Sequence, residues 1–362
     1  MKNISWKKIY PHLLAVVVFL LIAVFYCKPA LQGKVLQQSD VIHWKGMAES
    51  SFRYKEIHGN FPLWVNSMFG GMPGYQIAMD ASNPVSLAYL HFLFILFLPG
   101  PFSYFFLLCI SFYFLTQVFK IDYRIGILGA IAYAYASFTS IIVAVGHVTQ
   151  VQTMGYVPAM LGAMFLIFQK KYWTGAALSS VFAALLIAMG HFQITYYFLL
   201  IAVFAFIAYL IHWIKNKEYK HIFITSAILA FAAIVAVCTN MVTLATTYDY
   251  SKATMRGGSA ILDTATNGAK QSTGLPIEYA FGWSYGQTET FSLLVPNIYG
   301  GSSERSELGA NSHLAKEAID KGVSDDQATQ LASQFPTYWG GQPFTSGPVY
   351  LGAVICFLFI FG

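Results

Sequence analysis

Charge is what this sequence has least of. Asp, Glu, Lys and Arg make up 10% of its 362 residues and 56% are hydrophobic, whereas an ordinary soluble domain carries about 25% charged residues. None of these four residue types occurs between Arg124 and Lys170, from Tyr172 to Ile214, or from Ile222 to Tyr248. That excludes an ordinary soluble globule and argues against an ion-coupled pump, which needs charges at membrane depth. Cysteine is scarce too. Cys27, Cys109, Cys238 and Cys356 lie in or beside apolar runs, with neither metal-ligand spacing nor a disulfide pattern. No phosphate-binding glycine loop, zinc motif or nucleophile elbow is present. The net charge of +5 needs no nucleic-acid partner, because basic residues flanking spans orient a membrane protein.

Apolar runs of span length fill the chain. A span takes about 20 apolar residues, and the runs near 11–27, 102–119, 125–145, 151–168, 173–189, 192–213, 222–246 and 348 onward qualify. The expected fold is an all-α polytopic helical bundle with two polar loops. Lys7 and Lys8 ahead of Leu13–Tyr26 resemble a signal peptide, but no small-residue cleavage site follows; an uncleaved first span, 1–27, fits better. The run Val354–Phe361 reads as the start of a further span, 348–362, in a longer protein.

Charge assigns the sides. The connections at Lys120–Arg124, Lys170-Lys171 and Lys215–Lys220 are basic, whereas Gly146–Gln150 and Gly190–Gln193 carry no Lys or Arg. The first group and the N-terminus therefore belong in the cytoplasm. That parity holds if the short run 85–98 lies at the interface or re-enters instead of crossing. Six further spans then occupy 102–246, and both polar loops, 28–101 and 247–347, face outward.

The first outer loop is the most conspicuous polar stretch. Ser39 can cap a helix over 40–58 that stops at Gly59-Asn60, placing Asp40 and His43 on one face. Asp40 is either an acid favoured by the helix dipole or a base for an acceptor hydroxyl, with a divalent metal left open; the residues alone leave both readings standing. Asp80 is a second candidate acid, or a cap before Ser82-Asn83-Pro84. Trp64 and Phe69 suit the headgroup level. His147 with Gln150 and Gln152, and His191 with Gln193 and Thr195, form two polar span ends on the outer side; they line a wet cavity or bond helix to helix. Lys252 and Arg256 would stack on one face of a continuing helix and suit a lipid phosphate, or ordinary anionic headgroups. Glu289 is an acid in an aromatic segment, which favours a positioned carboxylate. The stretch 303–334 reads as a surface excursion with one amphipathic helix.

Several of these features occur together in a recognisable order. Asp40 after the first span, Pro62-Leu63-Trp64 leading to Gly70-Gly71-Met72-Pro73, Gly286…Glu289…Pro296-Asn297-Ile298-Tyr299-Gly300-Gly301, Tyr338-Trp339-Gly340-Gly341-Gln342-Pro343 and Gly347-Pro348-Val349-Tyr350-Leu351-Gly352 resemble the YfhO-like family of bacterial membrane proteins. The resemblance implies a GT-C-type glycosyltransferase of the bacterial cytoplasmic (inner) membrane. Its donor would be a lipid-linked sugar on a polyprenyl phosphate, and its acceptor a cell-envelope glycan or protein. It gives the catalytic acid to Asp40, a phosphate-binding cation to Arg256 or Lys252, and a motif position of unassigned role to Glu289. No Asp-x-Asp or Asp-Glu pair accompanies Asp40. An apolar groove between spans is expected to hold the polyprenyl tail, with 85–98 as one candidate cover. The rival readings are a non-enzymatic flippase or exporter of lipid-linked sugars or envelope polymers, and a scaffold for envelope assembly.

Overall fold

The computed structural model describes residues 6–79, 86–254, 277–303, 308–345 and 347–362. It is mostly helical, with almost no strand, and falls into two compact units, Met1–Tyr135 with Ile142–Tyr248, and Ala136–Ile141 with Asp249–Gly362.

In the first unit α1 runs Trp6–Tyr26 and buries Ala15, Phe19 and Ala23. These are four residues apart, so they form one stripe. A short turn, α2 (Lys28–Leu31), leads to α3 (Ser39–His58). Gln38, not Ser39, occupies the N-cap, and no side chain caps that end; Gly59, at φ 79°, closes the other. The chain then folds back on α3. A two-residue ladder pairs β1 (Trp64–Val65) with β2 (Met72–Pro73), and the Trp44 indole donates to the Ile77 carbonyl at 2.9 Å. Trp64 and Phe69 are both exposed. Residues 86–98 contain only a 3-10 turn at Ala88–Leu90 and α4 (His91–Phe94). Left-handed backbone at Leu96 and Phe97 ends that helix well before the length expected from the apolar run.

The chain continues as α5 (Phe102–Val118), α6 (Tyr123–Ala134), α7 (Ser137–Val145), α8 (Val148–Phe168), α9 (Tyr172–Ala188), α10 (Phe192–Lys215), α11 (Tyr219–Thr239) and α12 (Met241–Ser251), with the first residues of α7, to Ile141, and the last of α12, from Asp249, belonging to the second unit. Of the helices long enough to cross a membrane, α8 is the most deeply buried. Its Gly155 lets α5 approach closely, since a Cβ there would stand 2.6 Å from the Leu107 side chain. Among the described residues four helices, α1, α8, α10 and α11, are long and apolar enough to cross a membrane. The number becomes five if α6 and α7 form one bent span. The protein is an all-α chain of membrane type.

Two expected spans are broken. The run 125–145 bends by 43° between α6 and α7. There the Ser137 hydroxyl donates to the Tyr350 carbonyl and accepts from the Tyr350 amide, both at 2.8 Å. The run 222–246 stops at Asn240. Its amide donates to the carbonyls of Ala236 in its own helix and Ala184 on α9, at 2.9 and 3.0 Å, a side-chain competition that ends helices.

The second unit holds α13 (Ile277–Phe281), a 3-10 turn at Glu289–Leu293, α14 (His313–Asp320), α15 (Asp325–Gln334) and α16 (Ala353–Phe361). Where one amphipathic helix was expected there are two. Gly322, at φ 90°, turns the chain between them, and Ala315, Ala328 and Ala332 close a small core.

Candidate functional site

The first turn of α3 is pinned by the turn between α7 and α8. The Gln38 side chain donates to the Val143 carbonyl at 2.5 Å. Gly146, at φ 103°, lies so close that a Cβ there would stand 3.0 Å from both Gln38 Cβ and Val41 Cγ2. This contact carries His147, the residue before α8, to the start of α3. His147 does not cap its own helix. Its Nε2 instead meets Asp40 Oδ2 at 2.8 Å, and its Nδ1 meets Gln150 Oε1 at 3.0 Å. The His147 and Asp40 side chains are 45% and 48% exposed. A pair so open to solvent contributes little to stability, but it is accessible to a substrate. Asp40 Oδ1 has no partner among the described residues.

Three sequence-derived candidates, Asp40, His147 and Gln150, thus form one chain of contacts. The others do not join it by hydrogen bonds. His43 is exposed one turn further along α3. His191 caps α10, its Nδ1 accepting from the Ile194 amide at 3.4 Å. Burial holds the His191 imidazole below its ordinary pKa; a backbone hydrogen bond opposes this, and neighbouring His147 lowers it further. Gln193 donates to Tyr197 of its own helix at 2.7 Å. Gln152 turns away from His147 and approaches His91 Nε2 at 3.4 Å.

His91 was not singled out from the sequence. It is buried, and its other nitrogen meets the fully buried Tyr156 hydroxyl at 2.8 Å, fastening the 86–98 segment to α8. Its sequence signal is a lone imidazole in an apolar run, as at His147 and His191.

The remaining candidates fall elsewhere. Asp80 and Arg256 lie outside the described residues. In the second unit, α12 ends at Ser251, so Lys252 is not on a continuing helix; it turns back to Asp249 Oδ1 at 3.2 Å. Glu289 is 1% exposed, with Oε1 accepting from the Tyr338 hydroxyl at 2.6 Å and Oε2 from the Gly286 amide at 3.0 Å. Both of its oxygens are engaged in holding the loop together. Burial and the Glu289 hydrogen bond raise the Tyr338 phenol above its ordinary pKa.

A cavity of about 690 Å³ opens among α8, α9, α10 and α11, lined by residues such as Met160, Leu186, Phe192, Phe198 and Ala233. Its walls are these helices, not the 86–98 segment. Among the described residues no three His, Cys, Asp or Glu gather closely enough to hold a metal ion. Comparison with protein-family models, curated proteins and solved structures returned no match.

Proposed function

We propose that the protein is a membrane glycosyltransferase of the GT-C type. It moves a sugar from a polyprenyl-phosphate donor to a hydroxyl of an envelope acceptor on the outer face of the bacterial cytoplasmic membrane. The observation that carries this reading is the Asp40 carboxylate, with one oxygen fixed by His147 on a side chain that is half exposed. A half-fixed, accessible carboxylate is what a general base needs, since the proton it abstracts must lie within hydrogen-bond reach. It also stands where the YfhO-like resemblance puts the catalytic acid.

In the proposed step, the acceptor O–H proton goes to Asp40 Oδ1 as the acceptor oxygen bonds to the sugar's anomeric carbon. The bond from that carbon to the phosphate oxygen breaks, and its electron pair leaves with the polyprenyl phosphate. Attack from the face opposite the leaving group inverts the anomeric centre. The apolar cavity among α8–α11 suits an isoprenoid chain in size and lining, though a lipid-linked sugar exporter would need such a cavity as well.

The test is transfer itself. Vesicles containing the full-length protein, given a radiolabelled polyprenyl-phosphate sugar and native envelope material, should label the acceptor. Movement of the lipid-linked sugar across the bilayer with no acceptor labelled would favour the exporter.

A further inference from the structure

We infer that His147 is a positioning residue for Asp40, held in register by Gln150, and not a ligand for substrate. This rests on the proposed role of Asp40 and specifies how that carboxylate is kept in place.

An ionised carboxylate can only accept, so His147 Nε2 must carry the hydrogen that spans 2.8 Å to Asp40 Oδ2. The other ring nitrogen is taken by the Gln150 amide at 3.0 Å. The contact holds in either form of the ring: Nδ1–H donates to Gln150 Oε1, or bare Nδ1 accepts from the Gln150 amide nitrogen once its oxygen and nitrogen are interchanged. With both nitrogens occupied, His147 has no hydrogen-bonding edge left for a sugar or a phosphate. Asp40 Oδ1 remains the open atom.

Three further contacts show that this placement is built. Gln150 lies one turn into α8, so helix geometry brings its amide back over residue 147. The Gln38 bond to Val143 and the tight approach of Gly146 to Gln38 and Val41 fix the two backbones against each other. Without the imidazole, an exposed aspartate in a first helical turn would sample several rotamers. With it, one oxygen is fixed and the other is aimed. Misplacing a reacting group by about 1 Å can lower a rate by about 10²-fold.

The experiment compares His147→Leu, His147→Gln and Gln150→Leu in sugar transfer by the full-length protein, with melting temperature as a folding control. A positioning role gives His147→Leu a kcat lower by about 10²-fold with KM for the lipid donor unchanged. Partial rescue is expected in His147→Gln, whose amide N–H can still donate to Asp40, and a smaller kcat loss in Gln150→Leu. A raised KM with kcat unchanged would make His147 a substrate ligand and overturn the inference. If the wild type transfers no sugar, the transferase reading fails separately. The pair is then judged by ¹⁵N-histidine NMR, in which Asp40→Asn should move the His147 Nε2 resonance. An unmoved resonance would overturn the pairing itself.

Discussion

Asp40 Oδ2 and His147 Nε2 meet at 2.8 Å, joining the first turn of α3 to the residue that precedes α8. Neither residue needs the other to complete its own helix. Their contact comes from the close packing of the α7–α8 turn against α3, and that packing can be tested on its own.

Gly146 is the hinge of that approach. Alanine there would adopt a left-handed conformation, φ 103°, and place its Cβ 3.0 Å from two side-chain atoms of α3. Strain of this kind amounts to about 1–3 kcal/mol. Gly146→Ala is expected to lower the melting temperature of detergent-purified protein and to reduce transfer together with it. Unchanged stability would show that the turn does not press on α3.

Acid should weaken the first unit through His191. Burial lowers its folded-state pKa below the ordinary 6.5, so on acidification the unfolded chain binds this proton before the folded one does. Stability present above the unfolded value is therefore lost as pH falls from it toward the lower folded one. Melting temperature should drop as pH falls below about 6.5, the ordinary histidine value. His191→Asn keeps a cap for Ile194 without titrating in this range, and its profile should be flatter. An identical slope in the variant would remove His191 as the cause.

Glu289 is expected to matter for folding of the second unit. Glu289→Ala removes the acceptor shared by the half-buried Tyr338 hydroxyl and the Gly286 amide, and each lost hydrogen bond costs about 0.5–1.5 kcal/mol. Glu289→Gln keeps an acceptor for one of them and should lose about half as much. Thermal unfolding distinguishes the two, and a harmless alanine would refute the organising role.

The side assignment can be read by labelling. Val35 and Trp173 are 89% and 91% exposed, and the charge pattern puts them on opposite sides of the membrane. Cysteine at Val35 should react with an impermeant maleimide in intact cells, and cysteine at Trp173 only after lysis. Labelling of both in intact cells would contradict the orientation.

The apolar runs, the polar first loop and the individual residues Asp40, His147 and Gln150 were legible in the sequence because each depends on local composition. Their meeting was not, because it depends on a tight glycine turn packing on a remote helix. Local signals also misled where tertiary contacts intervened. Ser39 looked like a cap, yet the helix begins one residue earlier than that reading requires. Lys252 looked like half of a helical cation pair, but α12 ends first and Asp249 holds it. Asn240 sits inside an apolar run, and only its bonds to Ala184 and Ala236 explain why the helix stops there. His91 was hidden by the apolar residues around it.

The most direct measurement is sugar transfer by Asp40→Asn. The variant keeps the size of the side chain and a hydrogen-bonding oxygen for His147, but it cannot take a proton. Membranes containing equal amounts of either protein are supplied with the polyprenyl-phosphate sugar and assayed for labelled acceptor. The proposed chemistry predicts a rate lower by about 10²–10⁴-fold with expression and localisation unchanged. Full transfer by Asp40→Asn would contradict it.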